Sequence, residues 1–222
     1  MSHEPTLIHE LPTITIRKVV VSEMANNVYL LTSKTTGAQI LIDAADDMAA
    51  ITALLDSARN DAGATPSVEL IATTHQHWDH VRALKAAVTR TGAPTAAGAE
   101  DAAGILAGTG VDTARLLGQG DVLEVDGIEV TAIHLRGHTP GSIAYVLHDD
   151  GTTIIFSGDS LFPGGVGNTE KDPARFTSLL NDVEARLFGR FGDDAVVLPG
   201  HGDATTLGAE RPALPQWRER GW

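Results

Sequence analysis

The 222-residue chain contains no cysteine, and this absence narrows its possible chemistry more than any other feature of the composition. Disulfide bonds, iron–sulfur clusters, thiolate zinc sites and a cysteine nucleophile are all excluded. A metal ion bound to this protein must therefore be held by nitrogen and oxygen ligands.

Long apolar runs and basic residues are also scarce. No apolar run reaches the roughly 18 to 20 residues that a membrane span requires, and residues 1–12 do not resemble a signal peptide. Sixteen lysines and arginines stand against 29 aspartates and glutamates, which gives a formal net charge of −13. We therefore expect a cytoplasmic protein that acts on a small-molecule substrate, without nucleic-acid or membrane partners.

The pattern of apolar residues predicts two runs of strands, each followed by helices. Strands are predicted over residues 13–21, 28–32, 39–42, 68–73, 94–97, 122–125, 128–135, 143–147, 152–156 and 195–198. Helices are predicted after Asp47, from about Trp78, in the Ala/Gly-rich segment that follows residue 97, and between Asp172 and Gly189. This order indicates a single domain over residues 1–222, with two sheets covered by helices.

The segment His75-Gln76-His77-Trp78-Asp79-His80 follows one of the predicted strands directly. His75 and His77 are two residues apart, so in an extended segment both rings project to the same side. Asp79 and His80 come at the start of the next helix and can turn toward a neighbouring point. One loop can therefore serve two metal ions, and imidazole with carboxylate suits zinc, iron or manganese. Trp78 is interpreted as a packing residue beneath this loop.

Further segments complete a resemblance that covers essentially the whole chain. The chain resembles the metallo-β-lactamase-fold hydrolase superfamily, and within it the short glyoxalase II-like (hydroxyacylglutathione hydrolase-like) proteins. The stretches that carry the resemblance are residues 27–31, His75 to His80, Gly137-His138-Thr139-Pro140-Gly141-Ser142, Ser157-Gly158-Asp159-Ser160-Leu161-Phe162, Pro199-Gly200-His201-Gly202 and residues 205–210.

The resemblance implies a fold, a metal centre and a nucleophile. The fold would be of the α/β (α+β) class, an αββα four-layer sandwich with the metals at one edge. The resemblance implies two divalent metal ions, for which zinc is the first expectation. The first ion would be held by three histidines and the second by two histidines and a carboxylate, and a second carboxylate would bridge the two ions. The first set is His75, His77 and His138, the second is Asp79, His80 and His201, and the bridge is Asp159. A hydroxide between the ions would attack the substrate.

The substrate is expected to be a small acyl-thioester or a related ester. A bridging aspartate at position 159 resembles thioesterases, lactonases and phosphodiesterases, whereas many β-lactamases of this fold have cysteine or serine there. A thiolate leaves with little proton assistance, but a lactam nitrogen needs a positioned acid, for which Asp79 is the evident catalytic candidate.

Two features bear on substrate recognition. Gly165 and Asn168, in the glycine-rich loop after Asp159, are candidate substrate-binding residues, although glyoxalase-type relatives commonly have arginine where Asn168 stands. The segment after His201 is too short for the C-terminal helical domain of glyoxalase II, so that domain is expected to be absent. Three arginines of this segment could pair with a carboxylate, but an amphipathic surface segment is favoured. They are Arg211, Arg218 and Arg220.

Three other functions stay open at this point. The first is a mononuclear iron persulfide dioxygenase, which would use His75, His138 and Asp159 as iron ligands. The second is a lactonase, which would require Tyr145 or Tyr29 to face the site. The third is a non-catalytic metal-binding protein.

Overall fold

A computed structural model describes residues 4–221, so the ends of the predicted 1–222 domain (residues 1–3 and 222) lie outside the described residues. The first of two large sheets has seven strands whose spatial order follows the sequence. They are Thr6–Glu10 (β1), Ile14–Val21 (β2), Asn26–Ser33 (β3), Ala38–Ile42 (β4), Ser67–Ala72 (β5), Thr95–Gly98 (β6) and Arg115–Leu117 (β7). Strands β1 to β4 pair antiparallel, and β4 to β7 pair parallel.

The second large sheet has six strands in the order β15-β14-β11-β10-β9-β8. They are Val122–Val125 (β8), Ile128–His134 (β9), Ile143–Asp149 (β10), Thr152–Gly158 (β11), Val196–Pro199 (β14) and Thr205–Thr206 (β15). Only the β11–β14 pair in this sheet is parallel. A separate two-stranded ribbon, Leu161–Phe162 (β12) with Gly165–Val166 (β13), follows β11.

Helices cover the outer face of each sheet. They are Met48–Ser57 (α1), Trp78–Val81 (α2), Leu84–Thr91 (α3), Ala102–Thr109 (α4), Pro173–Val183 (α5), Leu207–Glu210 (α6) and Leu214–Arg220 (α7). Helix α5 continues into a π-helical turn, Glu184–Phe188, and a 3-10 turn, Arg211–Ala213, joins α6 to α7. Among the described residues, no helix is long and apolar enough to cross a membrane.

Three apolar clusters hold these four layers together. One lies between the sheets, one packs the first sheet against α1 to α4, and one packs the second sheet against α5 and α7. Strand β3 serves two of them, because Leu31 faces the inter-sheet cluster while its neighbour Leu30 faces the helices. Tyr145 and Val146 divide β10 in the same way. Strands buried on both faces explain the nearly continuous apolar runs, and the predicted αββα sandwich is confirmed.

Most predicted elements occur near their expected positions, and the short strands β12, β13 and β15 and the helices α6 and α7 are additions that were not predicted. Three further differences concern the helix from Trp78 and two edge strands. The helix predicted from Trp78 is two short helices, α2 and α3, with residues 82 and 83 between them. Strand β1 and the three-residue edge strand β7 were not predicted from the sequence. Both are edge strands, whose formation depends on the neighbouring strand as well as on local composition: β1 pairs with the adjacent β2, and β7 pairs with β6 across α4.

Candidate metal centre

The predicted ligands meet at one edge of the sandwich because four chain segments end or turn there. His75 to His80 follow the end of β5, Asp159 follows β11, and His201 follows β14, whereas His138 lies in the connection between β9 and β10. All seven side chains predicted from the sequence converge at this edge. Their potential ligand atoms form clusters of three, in each of which the atoms lie within 4.8 Å of one another.

The first set consists of three imidazoles. Nε2 of His75 lies 3.1 Å from Nδ1 of His77 and 3.3 Å from Nε2 of His138. Ligands bound to one tetrahedral metal at about 2.0–2.1 Å would stand roughly 3.3 Å apart, so these separations suit a shared ion. We refer to His75, His77 and His138 as the first set.

The second set combines two imidazoles with a carboxylate. Nε2 of His80 lies 3.1 Å from Nε2 of His201, and Oδ2 of Asp79 lies 3.5 Å and 3.3 Å from these two nitrogens. These separations again match the edges of a single coordination polyhedron. We refer to Asp79, His80 and His201 as the second set.

Asp159 stands between the two sets. Its Oδ2 lies 3.6 Å from Nε2 of His138 in the first set and 3.5 Å from Nε2 of His201 in the second. Its Oδ1 lies 3.4 Å from Nε2 of His80 and is a buried oxygen that accepts no hydrogen bond. A buried carboxylate oxygen without a donor is costly, and a cation would remove that cost. The donor set therefore fits two metal ions that share Asp159.

Asp43 is a buried carboxylate behind the second set that the sequence analysis did not identify. Its Oδ2 lies 2.9 Å from Nδ1 of His80, and it also accepts hydrogen bonds from the backbone N–H and hydroxyl of Thr74. Histidine ligands commonly give their second ring nitrogen to such a carboxylate, which orients the ring. One feature of the sequence could have indicated this role for Asp43. It is a carboxylate directly after a buried strand, β4, just as Asp159 directly follows β11.

Two other polar residues that hold the ligand loops were also missed. Asn26 donates from Nδ2 to Oδ2 of Asp79 at 3.0 Å. Asp101, fully buried, accepts from the backbone N–H of Gln76 and from the hydroxyl of Thr139, so it joins the His75 loop to the His138 loop. Their partners are far away in sequence, and no local spacing indicates these roles.

The two sets differ in the pKa values of their metal-free histidines. Burial lowers the pKa of His75 and of His138 in the first set. Burial also lowers the pKa of His80 and of His201, but nearby carboxylates outweigh it. Asp159 and Asp43 raise the pKa of His80 to about 10, and Asp159 and Asp79 raise that of His201 to about 10. Burial opposes ionisation of Asp79, yet hydrogen bonds from His201 and Asn26 hold its pKa below the usual range. Asp79 is thus an anionic acceptor and not a proton donor.

The interpretation of Trp78 as a packing residue is wrong. Its side chain is 57% exposed, and the guanidinium of Arg82 lies 3.8 Å from the ring centroid. Because α2 begins at Trp78 and buries Asp79, His80 and Val81, the first residue of the helix is left on the outside. The tryptophan is therefore stacked with an arginine at the surface beside the metal centre.

The two tyrosines that a lactonase would need do not face the centre. The hydroxyl of Tyr145 donates to the carbonyl of Thr73 at 2.8 Å, and that of Tyr29 donates to the carbonyl of Pro199 at 2.7 Å. Both side chains are buried in the inter-sheet cluster. Each hydroxyl thus supports the backbone just before a ligand loop.

The candidate substrate-binding residues lie in the loop after Asp159. Gly165 lines a cavity of about 430 Å³, and Asn168 lines the same cavity. The Asn168 carbonyl lies 2.7 Å from Nδ1 of His138, and its side-chain oxygen accepts from the backbone N–H of Glu170. The substrate contacts of Gly165 and Asn168 stay predictions.

Several known proteins are similar to this chain. The chain is 30% identical to an uncharacterized protein of Mycobacterium tuberculosis, over 86% of this chain and 92% of that one. It is 35% identical over 97 residues to hydroxyacylglutathione hydrolase GloC of Haemophilus influenzae, a match that covers 44% of each protein and thus less than half of that relative. The solved structure of TTHA1623 in a di-iron-bound form has a TM-score of 0.65 at 29% identity, covering 87% of this chain and 96% of that one.

A family match extends over most of the chain. Residues 21–201 match the Metallo-beta-lactamase superfamily, and this range includes all seven clustered ligands. The two-sheet architecture and the histidine–aspartate cluster at its edge are in keeping with that match. The chain therefore belongs to the metallo-beta-lactamase superfamily.

Proposed function

We propose that this protein is a dinuclear metal-dependent hydrolase that cleaves a small acyl-thioester or a related ester. The observation that carries the proposal is the pair of three-donor sets joined by Asp159, whose Oδ2 lies within 3.6 Å of a histidine nitrogen from each. A mononuclear site would need only one set. Both sets are complete in this chain and share one edge of the sandwich.

The metal ions would supply the reactive chemistry. When bound, such ions lower the pKa of a coordinated water from about 15.7 to near 7 and polarise the substrate carbonyl. The protein would hold them through imidazole nitrogens and carboxylate oxygens, a donor set that suits zinc and also accepts iron or manganese. Zinc is the metal we expect first, and the di-iron form of TTHA1623 makes iron the main competitor.

The residues of the chain favour a leaving group that needs no proton. Oδ2 of Asp79 accepts a hydrogen bond from Asn26 and faces His80 and His201, so as a carboxylate it has no proton to give. A thiolate departs without an acid, whereas an amide nitrogen requires one. Relatives named hydroxyacylglutathione hydrolase agree with a thioester substrate.

The test combines metal content with activity. Elemental analysis of the purified protein should give two metal ions per chain, and a panel of small acyl-thioesters and esters should be hydrolysed, with loss of activity after chelation and recovery after metal return. An oxygen electrode run in parallel with a persulfide separates the alternative. One iron per chain with oxygen consumption and no hydrolysis would establish the persulfide dioxygenase and reject the hydrolase.

A further inference from the structure

The five clustered histidines differ in what lies at the ring nitrogen that faces away from the metal centre. Four of them have an oxygen of the protein within 3.0 Å of that nitrogen. The pairs are His75 with the Thr74 hydroxyl, His80 with the Asp43 carboxylate, His138 with the Asn168 carbonyl and His201 with the Met24 carbonyl. Histidines that bind metals almost always have such a partner, which fixes the orientation of the ring.

His77 differs from the other four. Its Nδ1 lies 3.1 Å from Nε2 of His75 in the first set, so Nε2 is its outer nitrogen. Within residues 4–221, no other group of the chain forms a hydrogen bond with that nitrogen. A neutral imidazole that binds a metal through Nδ1 carries its proton on Nε2, which can then only donate. The His77 ring therefore has a donor for which the described part of the chain supplies no acceptor.

His77 lines a cavity of about 600 Å³ between the ligand loops and helix α5. Gln76 and His138 line it on the side of the metal centre, and Ser178 lines it on α5. Its lining residues differ from those of the 430 Å³ cavity in the loop after Asp159. The volume is within the range of about 300–1,000 Å³ that is usual for small-molecule sites. A small molecule in this cavity can therefore supply the acceptor that His77 lacks.

Arg175 holds one wall of this cavity in place. It donates to the carbonyl oxygens of Gly137 at 2.9 Å and of His138 at 2.6 Å, and it pairs with Glu170 at 2.6 Å. Glu170, a carboxylate of the same wall, is thus already paired with a cation. A wall fixed in this way is ordered before a ligand arrives, which reduces the entropy cost of binding.

Arg136 lies in the same wall and keeps part of its guanidinium available. Its Nε and Nη2 each donate to the buried carboxylate of Asp182 at 2.8 Å, and its side chain is 50% exposed. Nη1 takes no part in this pair, so it can donate to a ligand. The cavity therefore offers a second donor, on a charged group, besides the imidazole of His77.

We propose that this cavity binds a small carboxylate, one oxygen of which accepts a hydrogen bond from Nε2 of His77. The carboxylate would then do for His77 what Asp43 does for His80. An anion is favoured over a neutral acceptor because Arg136 is charged, and charge-assisted hydrogen bonds are roughly twice as strong as neutral ones. The proposal requires a metal ion at the first set, but it does not require hydrolysis.

Carboxylate binding and metal binding should support each other. A carboxylate behind an imidazole makes the ring a stronger metal ligand, and loss of such a partner typically weakens metal binding about 10- to 100-fold. By linkage, the metal must tighten carboxylate binding by the same factor. We therefore expect a coupling of about 10-fold between the carboxylate and the metal ion of the first set.

The test uses butanoate and its neutral analogue butanamide as probes. Calorimetry on the zinc-loaded protein should show butanoate binding about 10-fold more tightly than butanamide, as expected for a charged acceptor. Competition with a chelator should show that saturating butanoate tightens zinc binding at the first set about 10-fold and leaves the second set unchanged. Equal binding of the two probes, or a zinc affinity that butanoate does not change, would overturn the proposal.

Two variants of α5 distinguish the cavity from direct coordination of the metal ions by butanoate. Ser178→Phe fills the cavity, whereas Thr177→Phe places the same ring at the neighbouring exposed position, outside the cavity lining. Ser178→Phe should abolish the effect of butanoate on zinc affinity, and Thr177→Phe should keep it. If the effect persists in Ser178→Phe, butanoate binds elsewhere and the proposal is rejected.

A second pair of variants tests the arginine. Arg136→Gln should weaken butanoate binding about 10-fold. Arg186→Gln is the matched control, because Arg186 also pairs with Asp182, at 3.3 Å, but lies outside the cavity lining. Equal weakening in the two variants would show that Asp182 pairing is responsible and would reject Arg136 as a partner of the carboxylate. Circular dichroism and zinc content without butanoate confirm that each variant is folded and loaded.

Discussion

The two ligand sets have similar spacings but different electrostatic surroundings. In the first set, neutral oxygens stand behind two of the histidines, since Nδ1 of His75 lies 3.0 Å from the Thr74 hydroxyl and Nδ1 of His138 lies 2.7 Å from a backbone carbonyl. In the second set, His80 has the Asp43 carboxylate behind it, and Asp79 is itself a potential ligand. Negative charge is therefore concentrated around the second set.

This difference shows that histidine can occupy two electrostatic environments within one site. Buried imidazoles without nearby anions favour the neutral form, whereas imidazoles between carboxylates favour the cation. A metal ion needs the neutral form and also gains from nearby negative charge. We therefore expect the second set to bind its ion more tightly once the protons have left, and the first set to bind with less dependence on pH.

The largest effect should follow from Asp159→Asn, since this residue contacts both sets. Loss of a shared carboxylate should reduce turnover by about 10²- to 10³-fold, a few kcal/mol of transition-state stabilisation, and lower the metal content of both sets. Steady-state kinetics and elemental analysis measure the two effects. Asp203→Asn, an exposed change near His201, is the control and should leave both unchanged. Near-normal turnover in Asp159→Asn would refute the bridging role.

Asp43→Asn should separate the two sets. It removes the charge directly behind His80, whereas His75 of the first set contacts Asp43 only through the Thr74 hydroxyl. Metal affinity should therefore fall about 10- to 100-fold at the second set and by less at the first. Titration against a chelator of known affinity, with stoichiometry followed by elemental analysis, resolves the two sites. Equal weakening at both sites would show that Asp43 supports the whole edge of the sandwich instead.

Proton release gives a test of the same contrast without mutation. With the pKa of His80 and His201 raised to about 10, both carry protons at pH 7 in the metal-free chain, and a metal ion must displace them. The lowered pKa of His75 and His138 predicts little release from the first set. Calorimetry in buffers of different ionisation enthalpy counts the protons. Equal release at the two binding steps would contradict the contrast.

The same values predict how the metal-free chain responds to pH. A histidine whose folded pKa is raised stabilises the fold fully below its unfolded value of about 6.5, and this stabilisation is lost as pH rises toward 10. Thermal unfolding of the chelated protein should therefore occur at lower temperature at pH 10 than at pH 7. His80→Gln should flatten this dependence, and an unchanged slope in that variant would contradict the assignment.

The sequence predicted the seven side chains that cluster as candidate ligands, but it did not predict the residues that stand behind them. His75 to His80 carry a spacing that geometry can interpret, and the segments around His138, Asp159 and His201 carry a recognisable resemblance. Asp43, by contrast, contacts His80 across 37 positions of the chain, and Asn26 contacts Asp79 across 53. Such contacts depend on how strands β3, β4 and β5 lie beside one another in the first sheet, which local patterns do not encode.

Trp78 shows a second limit of prediction from local sequence, since here a predicted role was wrong. Within a buried ligand loop an aromatic residue is expected to pack inside, yet α2 turns the polar ligands inward and leaves the ring outside. The buried side chains of this four-residue helix are the candidate ligands Asp79 and His80 together with Val81, so hydrophobicity alone does not indicate which face is buried. The polar interior of the site thus overrides the usual preference.

The smallest predicted effect concerns the two tyrosines, each of which reaches from one sheet to the ligand loop of the other. Tyr145, on β10, supports Thr73 before the His75 loop, and Tyr29, on β3, supports Pro199 before His201. Removing either hydroxyl should cost about 1 kcal/mol in the free energy of unfolding, and up to about 3 kcal/mol where a buried carbonyl is left without a donor. The Pro199 carbonyl also accepts from Asn27, so Tyr29→Phe should cost less than Tyr145→Phe.

Urea unfolding of the two variants measures this difference, and their metal titrations show which set each hydroxyl serves. Tyr145→Phe should loosen the first set and Tyr29→Phe the second, because each hydroxyl supports the backbone immediately before one histidine of that set. If both variants weaken metal binding at the same set, then the two ligand loops do not respond separately to loss of a hydroxyl. In that case the shared Asp159 couples metal binding at the two sets more strongly than their spacing implies.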